Sequence, residues 1–317
     1  MRVPPFAQKT INFTRAAINY LTTGWRRAAL TVFMVLLSLA VIARVVIDNW
    51  DLLVRQEWTF APVWLGYALL FFFIDLAISL FGWHLLVAQL TGFNSMRLNT
   101  KICLQSNLAR RLPGSVWYVA SRATLYQDVG VSKRKISMVS GLELVLFILS
   151  GILVTLITLP LWFSRLGTIG ESIQIWWLLL VLPVALLLMH PGVLQRIWRR
   201  IGEDDPSVNV KWSYVATWIG IYVGTWLFGG AVLYCVIRVF HELHVSNLIV
   251  ITGMWSLAGA ISLIGFLVFS NIGLRELSLV LLLSLVIPFP TAIIVALVVR
   301  LIWLGGELLT SLLSFAL

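Results

Sequence analysis

The feature that most constrains this chain is a series of long apolar runs that repeats along almost its whole length. They lie at about 28–47, 61–90, 136–160, 173–194, 213–237, 247–270, 273–287 and 291–314. A helix needs roughly 20 predominantly apolar residues to cross the hydrocarbon of a bilayer. Most of these runs reach that length, while 273–287 falls short. Across the 317 residues, 60% are hydrophobic and only 11% charged, a balance that a soluble domain does not carry. Backbone polar groups in hydrocarbon must be satisfied within the segment, so the expected fold is all-α: a polytopic membrane helix bundle of about 6 to 8 spans.

The charges set the orientation. Subtracting 13 acids from 23 bases leaves a net +10, and the bases collect in alternate connections. If the chain starts inside, the cytoplasmic flanks are 1–27, 91–135 and 195–212, which hold 17 of the 23 Lys and Arg residues. The opposite loops hold Arg55, Arg165 and Arg238 beside Asp48, Asp51, Glu57, Glu171 and Glu242. This asymmetry predicts a multi-pass protein of the cytoplasmic membrane with both termini in the cytoplasm. Residues 1–27 read as a basic tail at an anionic lipid surface, and 28–317 as a single transmembrane domain. The run at 28–47 lacks a small-x-small cleavage site, so it reads as a retained span. Trp25, Trp50, Trp58, Trp64, Trp162, Trp176, Trp177, Trp198 and Trp212 fall near expected span ends, where an indole favours the interface. No basic stretch belongs to a soluble module, so a nucleic-acid partner is not expected.

Two segments depart from simple spans. Within 91–135, the weakly apolar stretches Ile102–Leu108 and Val116–Leu125 are split by Arg110-Arg111-Leu112-Pro113-Gly114. Near the other end, 247–270 meets Ser270-Asn271-Ile272-Gly273 and resumes as the short run that ends at Pro288-Phe289-Pro290. Both read as broken or re-entrant helical hairpins, and treating 247–270 and 273–287 as two full spans gives the same end orientation. Gly- or Pro-interrupted segments at matching places in two halves point to a transporter's midplane site. The order span, span, hairpin, span recurs over 28–160 and 173–314. An odd number of full spans in each half makes the repeat inverted.

Ionisable groups inside apolar segments cost about 2.5 to 3.5 kcal/mol each at a helix centre, so each needs a partner, water or a function. Arg122 follows the first break and Glu143 sits in the next span; Glu276 follows the second break and Arg300 sits in the next span. The order of signs is reversed between halves, which lets each hairpin neutralise its following helix or the other half. Such pairs could be purely structural, or they could line a watered cavity in which Arg275, Arg110 and Arg111 remain to attract an anion. Asp75 and Glu307 are lone acids in apolar helices; they read either as partners of a neighbouring helix or side chains that snorkel near a span end, or as candidates for proton or cation coupling.

Other features carry no chemistry. Cys103 and Cys235 lie far apart in apolar surroundings and suggest neither a disulfide nor a metal site. His241-Glu242-Leu243-His244 lacks the His-Glu-x-x-His spacing that sets two imidazoles on one ion, and reads as an interfacial loop. Glu203-Asp204-Asp205 precedes Pro206 in a short polar loop and reads as solvated. Gly220, Gly224, Gly229, Gly230, Gly253, Gly259, Gly305 and Gly306 supply small faces for close helix approach. No cofactor or metal is expected.

The run Asn107-Leu108-Ala109-Arg110-Arg111-Leu112-Pro113-Gly114-Ser115-Val116-Trp117, with Gly130-Val131-Ser132 and Gly141-Leu142-Glu143, resembles the transmembrane region of the lysylphosphatidylglycerol synthase/flippase family. Asn271-Ile272-Gly273-Leu274-Arg275-Glu276-Leu277 is similar to the family's Gly-x-x-Glu turn, and Arg300 to the Arg of its last span. Phe81-Gly82-Trp83-His84-Leu85-Leu86 and Leu90-Thr91-Gly92 look like the end of its second span. The resemblance covers about 60–310. It implies an integral membrane module that moves a lipid between leaflets. The fused aminoacyl-transferase domain of some members has no counterpart here, so lysyl transfer is not implied, and Ser270-Asn271 replaces the proline that many members place before the glycine.

The expected function is therefore a lipid translocator, not an enzyme, for an anionic or polyprenyl-linked lipid. Arg110, Arg111, Arg122 and Arg275 would attract phosphate, and Glu143, Glu276 and Arg300 would set the charge balance. No Gly-x-x-x-x-Gly-Lys-Ser/Thr motif occurs, so transport would be passive, driven by product removal or coupled to an ion gradient. The rivals are a membrane-embedded lipid-modifying transferase and an accessory subunit of a lipid or envelope pathway. A homo-oligomer or an envelope-pathway enzyme would be the protein partner.

Overall fold

In the computed structural model of the chain, the described residues are 44, 47–56, 58–107, 116–163, 183, 187, 190–201, 210–268 and 274–315. The expected spans at 28–47 and 173–194, the Arg110–Gly114 break, Glu203–Asp205 and the Asn271–Gly273 turn lie wholly or largely outside them. Among the described residues the protein is all-helical. The helices are α1 (Trp50–Arg55), α2 (Val63–Thr91), α3 (Met96–Asn107), α4 (Val116–Gln127), α5 (Lys133–Thr158), α6 (Pro191–Ile201), α7 (Trp212–Phe240), α8 (Asn247–Val268), α9 (Leu274–Leu283) and α10 (Phe289–Leu313). Four are long and apolar enough to cross a membrane: α2, α5 with its 3₁₀ extension to Leu161, α7 and α10. At about 1.5 Å per residue, α3 and α4 extend about 18 Å and α9 about 15 Å, short of the roughly 30 Å hydrocarbon core. They have the lengths of hairpin arms.

Local signals mark the boundaries. α2 stops at Gly92, whose φ of 76° is left-handed, and the Gly92 N–H closes the helix on Ala88 O. The α4–α5 turn needs Gly130 at φ 85°, with the Val131 N–H returning to Tyr126 O. α5 opens on Lys133-Arg134-Lys135, which runs against the positive end of its own dipole. Anionic headgroups at that level would offset the repulsion.

Residue pairs fix the direction of packing. Asn99 and Ser106 of α3 meet Tyr126 and Arg122 of α4, so these helices form an antiparallel hairpin about the break. α2 and α7 are antiparallel as well, since Gln89 accepts from Trp218 Nε1 at 2.8 Å and Phe71 meets Phe228 at 6.0 Å. α5 and α8 run antiparallel through Thr155 with Ser256, while Gly253 faces Thr158 and Trp162. Exchange the helices α2, α3, α4 and α5 with α7, α8, α9 and α10, and the contacts reproduce themselves. α2–α3 answers α7–α8, α3–α4 answers α8–α9, α4–α5 answers α9–α10, α2–α5 answers α7–α10, and α5–α8 answers α3–α10. α5–α7 answers the meeting of α2 and α10 at Phe72 and Trp303. The helices pack as an inverted repeat with the α2–α7 contact at its centre.

The core divides in two. One cluster gathers Phe72, Trp226, Met254, Trp255, Leu279 and Val295; the other gathers Trp83, Leu86, Tyr126, Ile136, Trp218 and Tyr222. Trp162 and Trp198 are 0% and 2% exposed, inside these clusters, and not at the open interface that their place near span ends suggested. Trp50 and Trp212, at 59% and 55% exposed, do lie on the surface.

Candidate functional site

Each half carries a charged pair between the returning arm of its hairpin and the next long helix. In the first half, Arg122 on α4 meets Glu143 on α5, with Nη1 2.5 Å from Oε2 and both side chains essentially unexposed. The guanidinium is enclosed on every side. Its Nε donates to Ser106 Oγ at 3.1 Å and its Nη2 to Cys103 Sγ at 3.1 Å, while the rings of Trp83 and Tyr118 cover its faces at 3.6 and 4.2 Å. Tyr118 donates its hydroxyl proton to the same Glu143 oxygen. Below this pair, Trp83 Nε1 donates to Tyr126 OH, Tyr126 donates to Asn99 Oδ1, and the Asn99 amide meets His84 Nδ1. A charge removed from water needs this completeness, because an unmet donor in a low-dielectric interior forfeits its whole desolvation energy.

In the second half the signs are exchanged. Arg300 on α10 donates to Glu276 Oε1 on α9 at 2.7 Å, and both side chains are partly exposed. The neighbouring Arg275 is placed differently from Arg122. Its guanidinium lies 4.0 Å from the Trp255 ring centre and 5.7 Å from that of Trp303. Stacking engages the face of a guanidinium and not its in-plane N–H fork, the part that grips carboxylate and phosphate.

Between the two hairpins lies a cavity of about 210 Å³. Asp75 of α2, Tyr118 of α4, Glu143 of α5, Arg275 of α9 and Glu307 of α10 line it, with Asn107 at the end of α3 and the rings of Phe72, Trp226, Trp255 and Trp303. Asp75 Oδ1 is shielded from solvent, and no hydrogen-bond partner reaches it among the described residues. Arg275 lines the same cavity. A small cleft shares Trp255, Arg275 and Trp303 with this cavity and holds Glu276 and Arg300.

Of the candidate residues, Asp75, Glu143, Arg275 and Glu307 thus face one space. Glu276 and Arg300 adjoin it, and Arg122 stands behind Glu143 without lining it. Arg110 and Arg111 lie outside the described residues. The balance differs from a plainly basic anion site. Among the described residues, three carboxylates and one guanidinium line the cavity, and counting Arg122 still leaves one excess acid. The reason is that the pairs within each half use up Arg122 and Arg300. Sequence reasoning overlooked the aromatic walls. Trp83, Trp226, Trp255 and Trp303 sit inside apolar runs and not at their ends, where a tryptophan turned to lipid and one packed on a cation give the same pattern.

No protein-family model and no curated protein matches this chain.

Proposed function

We propose that this protein moves an anionic or polyprenyl-linked lipid between the leaflets of the cytoplasmic membrane, with both termini in the cytoplasm. The observation that carries the reading is the cavity between two broken hairpins. It is bounded by both halves of an inverted repeat and holds Arg275 on aromatic walls beside acids. A charged group at mid-helix depth is costly in hydrocarbon, and it persists where it pairs or faces a watered path for a polar cargo. Arg275 would take the headgroup phosphate, and the acyl or prenyl chains would stay in the bilayer. The resemblance to the lysylphosphatidylglycerol synthase transmembrane region supports the same class.

The test is a leaflet-accessibility assay. Purified protein is reconstituted in phosphatidylcholine vesicles containing a trace of fluorescent phosphatidylglycerol, and a membrane-impermeant quencher reads the outer leaflet. The expected result is quenching beyond the half reached in protein-free vesicles, reduced at least tenfold in initial rate by Arg275→Ala. Wild-type protein that leaves the inner-leaflet pool untouched, for both this probe and a fluorescent polyprenyl phosphate, overturns the reading.

A further inference from the structure

We infer that α6, with the first turns of α5 and α7, forms a basic face that holds anionic phospholipid headgroups of the adjoining leaflet, enriching phosphatidylglycerol there over phosphatidylcholine. This face is separate from the cavity, and the inference stands whether or not the protein moves lipid.

The geometry begins with how α6 is seated. At 11 residues it is too short to span. Leu194 and Trp198, four positions apart and so on one side of the helix, are 8% and 2% exposed. They join the core cluster that holds Ile136, in the first turn of α5, and Val215, in the first turn of α7. The His190 ring, just before α6, meets the Trp212 ring at 5.2 Å. α6 therefore lies at the level where α5 and α7 begin. Apolar sequence gives way to charge there, which is the depth of the headgroups. Arg196, Arg199 and Arg200 recur at three- and four-residue spacing on the side of α6 away from Leu194 and Trp198, and all three are exposed.

The same end gathers further positive charge. Lys133 and Arg134 of α5 and Lys211 at the start of α7 are exposed as well. No ion pair ties any of these six side chains among the described residues. Asp128 is the one acid among the described residues of 92–137 and 190–218. Glu203, Asp204 and Asp205 of the α6–α7 connection, added to it, still leave the six bases in excess. α5 and α7 carry no acid in their first turns, and Ser132 and Lys211 at their N-caps make no side-chain capping bond. The positive ends of both helix dipoles thus add to the field of the bases. A phosphodiester supplies the missing anion, and each Lys or Arg beside an anionic leaflet favours association about fivefold. Trp212, 55% exposed on this face, selects lipid over a soluble acidic protein as the neighbour, because such an indole settles among headgroups.

The experiment uses the full chain in phosphatidylcholine nanodiscs, with a fluorophore on Ser213→Cys, an exposed position in the first turn of α7. The native Cys103 and Cys235 are buried and escape the label. Quenching is titrated with phosphatidylglycerol or phosphatidylcholine that carries a nitroxide high on one acyl chain. A second label at Val245→Cys, 66% exposed in the loop between α7 and α8, reports the opposite end. At about 0.1 M salt, phosphatidylglycerol should reach half-quenching at Ser213→Cys at a mole fraction at least fivefold below that of phosphatidylcholine, with a ratio near one at Val245→Cys. At about 1 M salt, where the screening length falls from about 10 Å to about 3 Å, the ratio at Ser213→Cys should drop below about two. R196Q/R199Q/R200Q should lower it as far, and R196K/R199K/R200K should keep it. The substituted side chains are exposed, and an unchanged melting temperature verifies the fold of each variant. Equal quenching by the two lipids at Ser213→Cys, a preference as strong at Val245→Cys, or a ratio unmoved by R196Q/R199Q/R200Q overturns the inference. Lipid movement without this preference overturns it alone, and the preference without lipid movement overturns only the transport reading.

Discussion

At the scale of single residues, the two hairpin arginines look alike in sequence and differ in what surrounds them. Arg122 meets an acceptor in each direction and is covered by two rings, so it has no face left to offer. Breaking such a pair leaves a buried charge unmet, which costs about 3 to 5 kcal/mol. Arg122→Ala and Glu143→Gln should therefore each lower the melting temperature in detergent markedly. Replacing both by methionine should cost less than the two single changes together, because apolar packing substitutes for a desolvated pair. Fluorescence-detected size exclusion after heating gives all three values, and additivity would show that Arg122 and Glu143 are not coupled. The order of charges, basic then acidic and later acidic then basic, was legible in the sequence; it left open whether each hairpin pairs with its following helix or with the other half, and the ion pairs take the first arrangement. The rings over Arg122 and Arg275 were not legible, because a tryptophan in an apolar run looks the same whether it faces lipid or a cation.

At the scale of helices, close approach is set by what a glycine leaves empty. The Trp226 indole lies against Gly151 of α5 and Gly259 of α8, and its Nε1 donates to Phe147 O at 3.1 Å and Ser150 Oγ at 3.0 Å. One side chain thereby ties three helices together. Gly305 and Gly306 make a sharper comparison, since they are adjacent on α10. A methyl at Gly305 meets nothing within 4 Å, whereas one at Gly306 collides with the Phe72 ring. Gly305→Ala should be neutral or stabilising by about 0.5 to 1 kcal/mol, from the helix preference alone. Gly306→Ala should destabilise by about 1 to 3 kcal/mol through overpacking. Paired melting curves in one detergent check the contrast, and equal effects would mean that α10 does not press on α2 as described. The bounds of these helices were nearly readable, 61–90 against Val63–Thr91 and 291–314 against Phe289–Leu313, because hydropathy falls where the bilayer would end. Which glycine touches what was not readable, because contact depends on helix rotation, and lipid and protein neighbours are equally apolar.

At the scale of the whole molecule, the two halves of the inverted repeat meet along α2–α7, α5–α8, α5–α7 and α3–α10, and at Phe72 with Trp303 between α2 and α10. Repeats of this kind expose a central site to one side and then the other by rocking one half against its counterpart. The cavity residues come from both halves, with Asp75 and Glu143 on one and Arg275 and Glu307 on the other, so rocking would also change their mutual distances. Thr155 Oγ1 and Ser256 Oγ lie 3.1 Å apart across α5 and α8, close enough for a cysteine pair to bridge. The native Cys103 and Cys235 are buried, which limits their competition for the oxidant. Oxidised T155C/S256C should stop lipid movement in vesicles while binding of fluorescent phosphatidylglycerol in detergent persists, and reductant should restore movement. Each single cysteine variant should be indifferent to the oxidant. If the bridged protein, verified by loss of thiol labelling after unfolding, moves lipid at the reduced rate, then α5 and α8 travel as one body. The moving boundary would then have to lie elsewhere, and α2–α7, the contact at the centre of the repeat, is the next place to bridge.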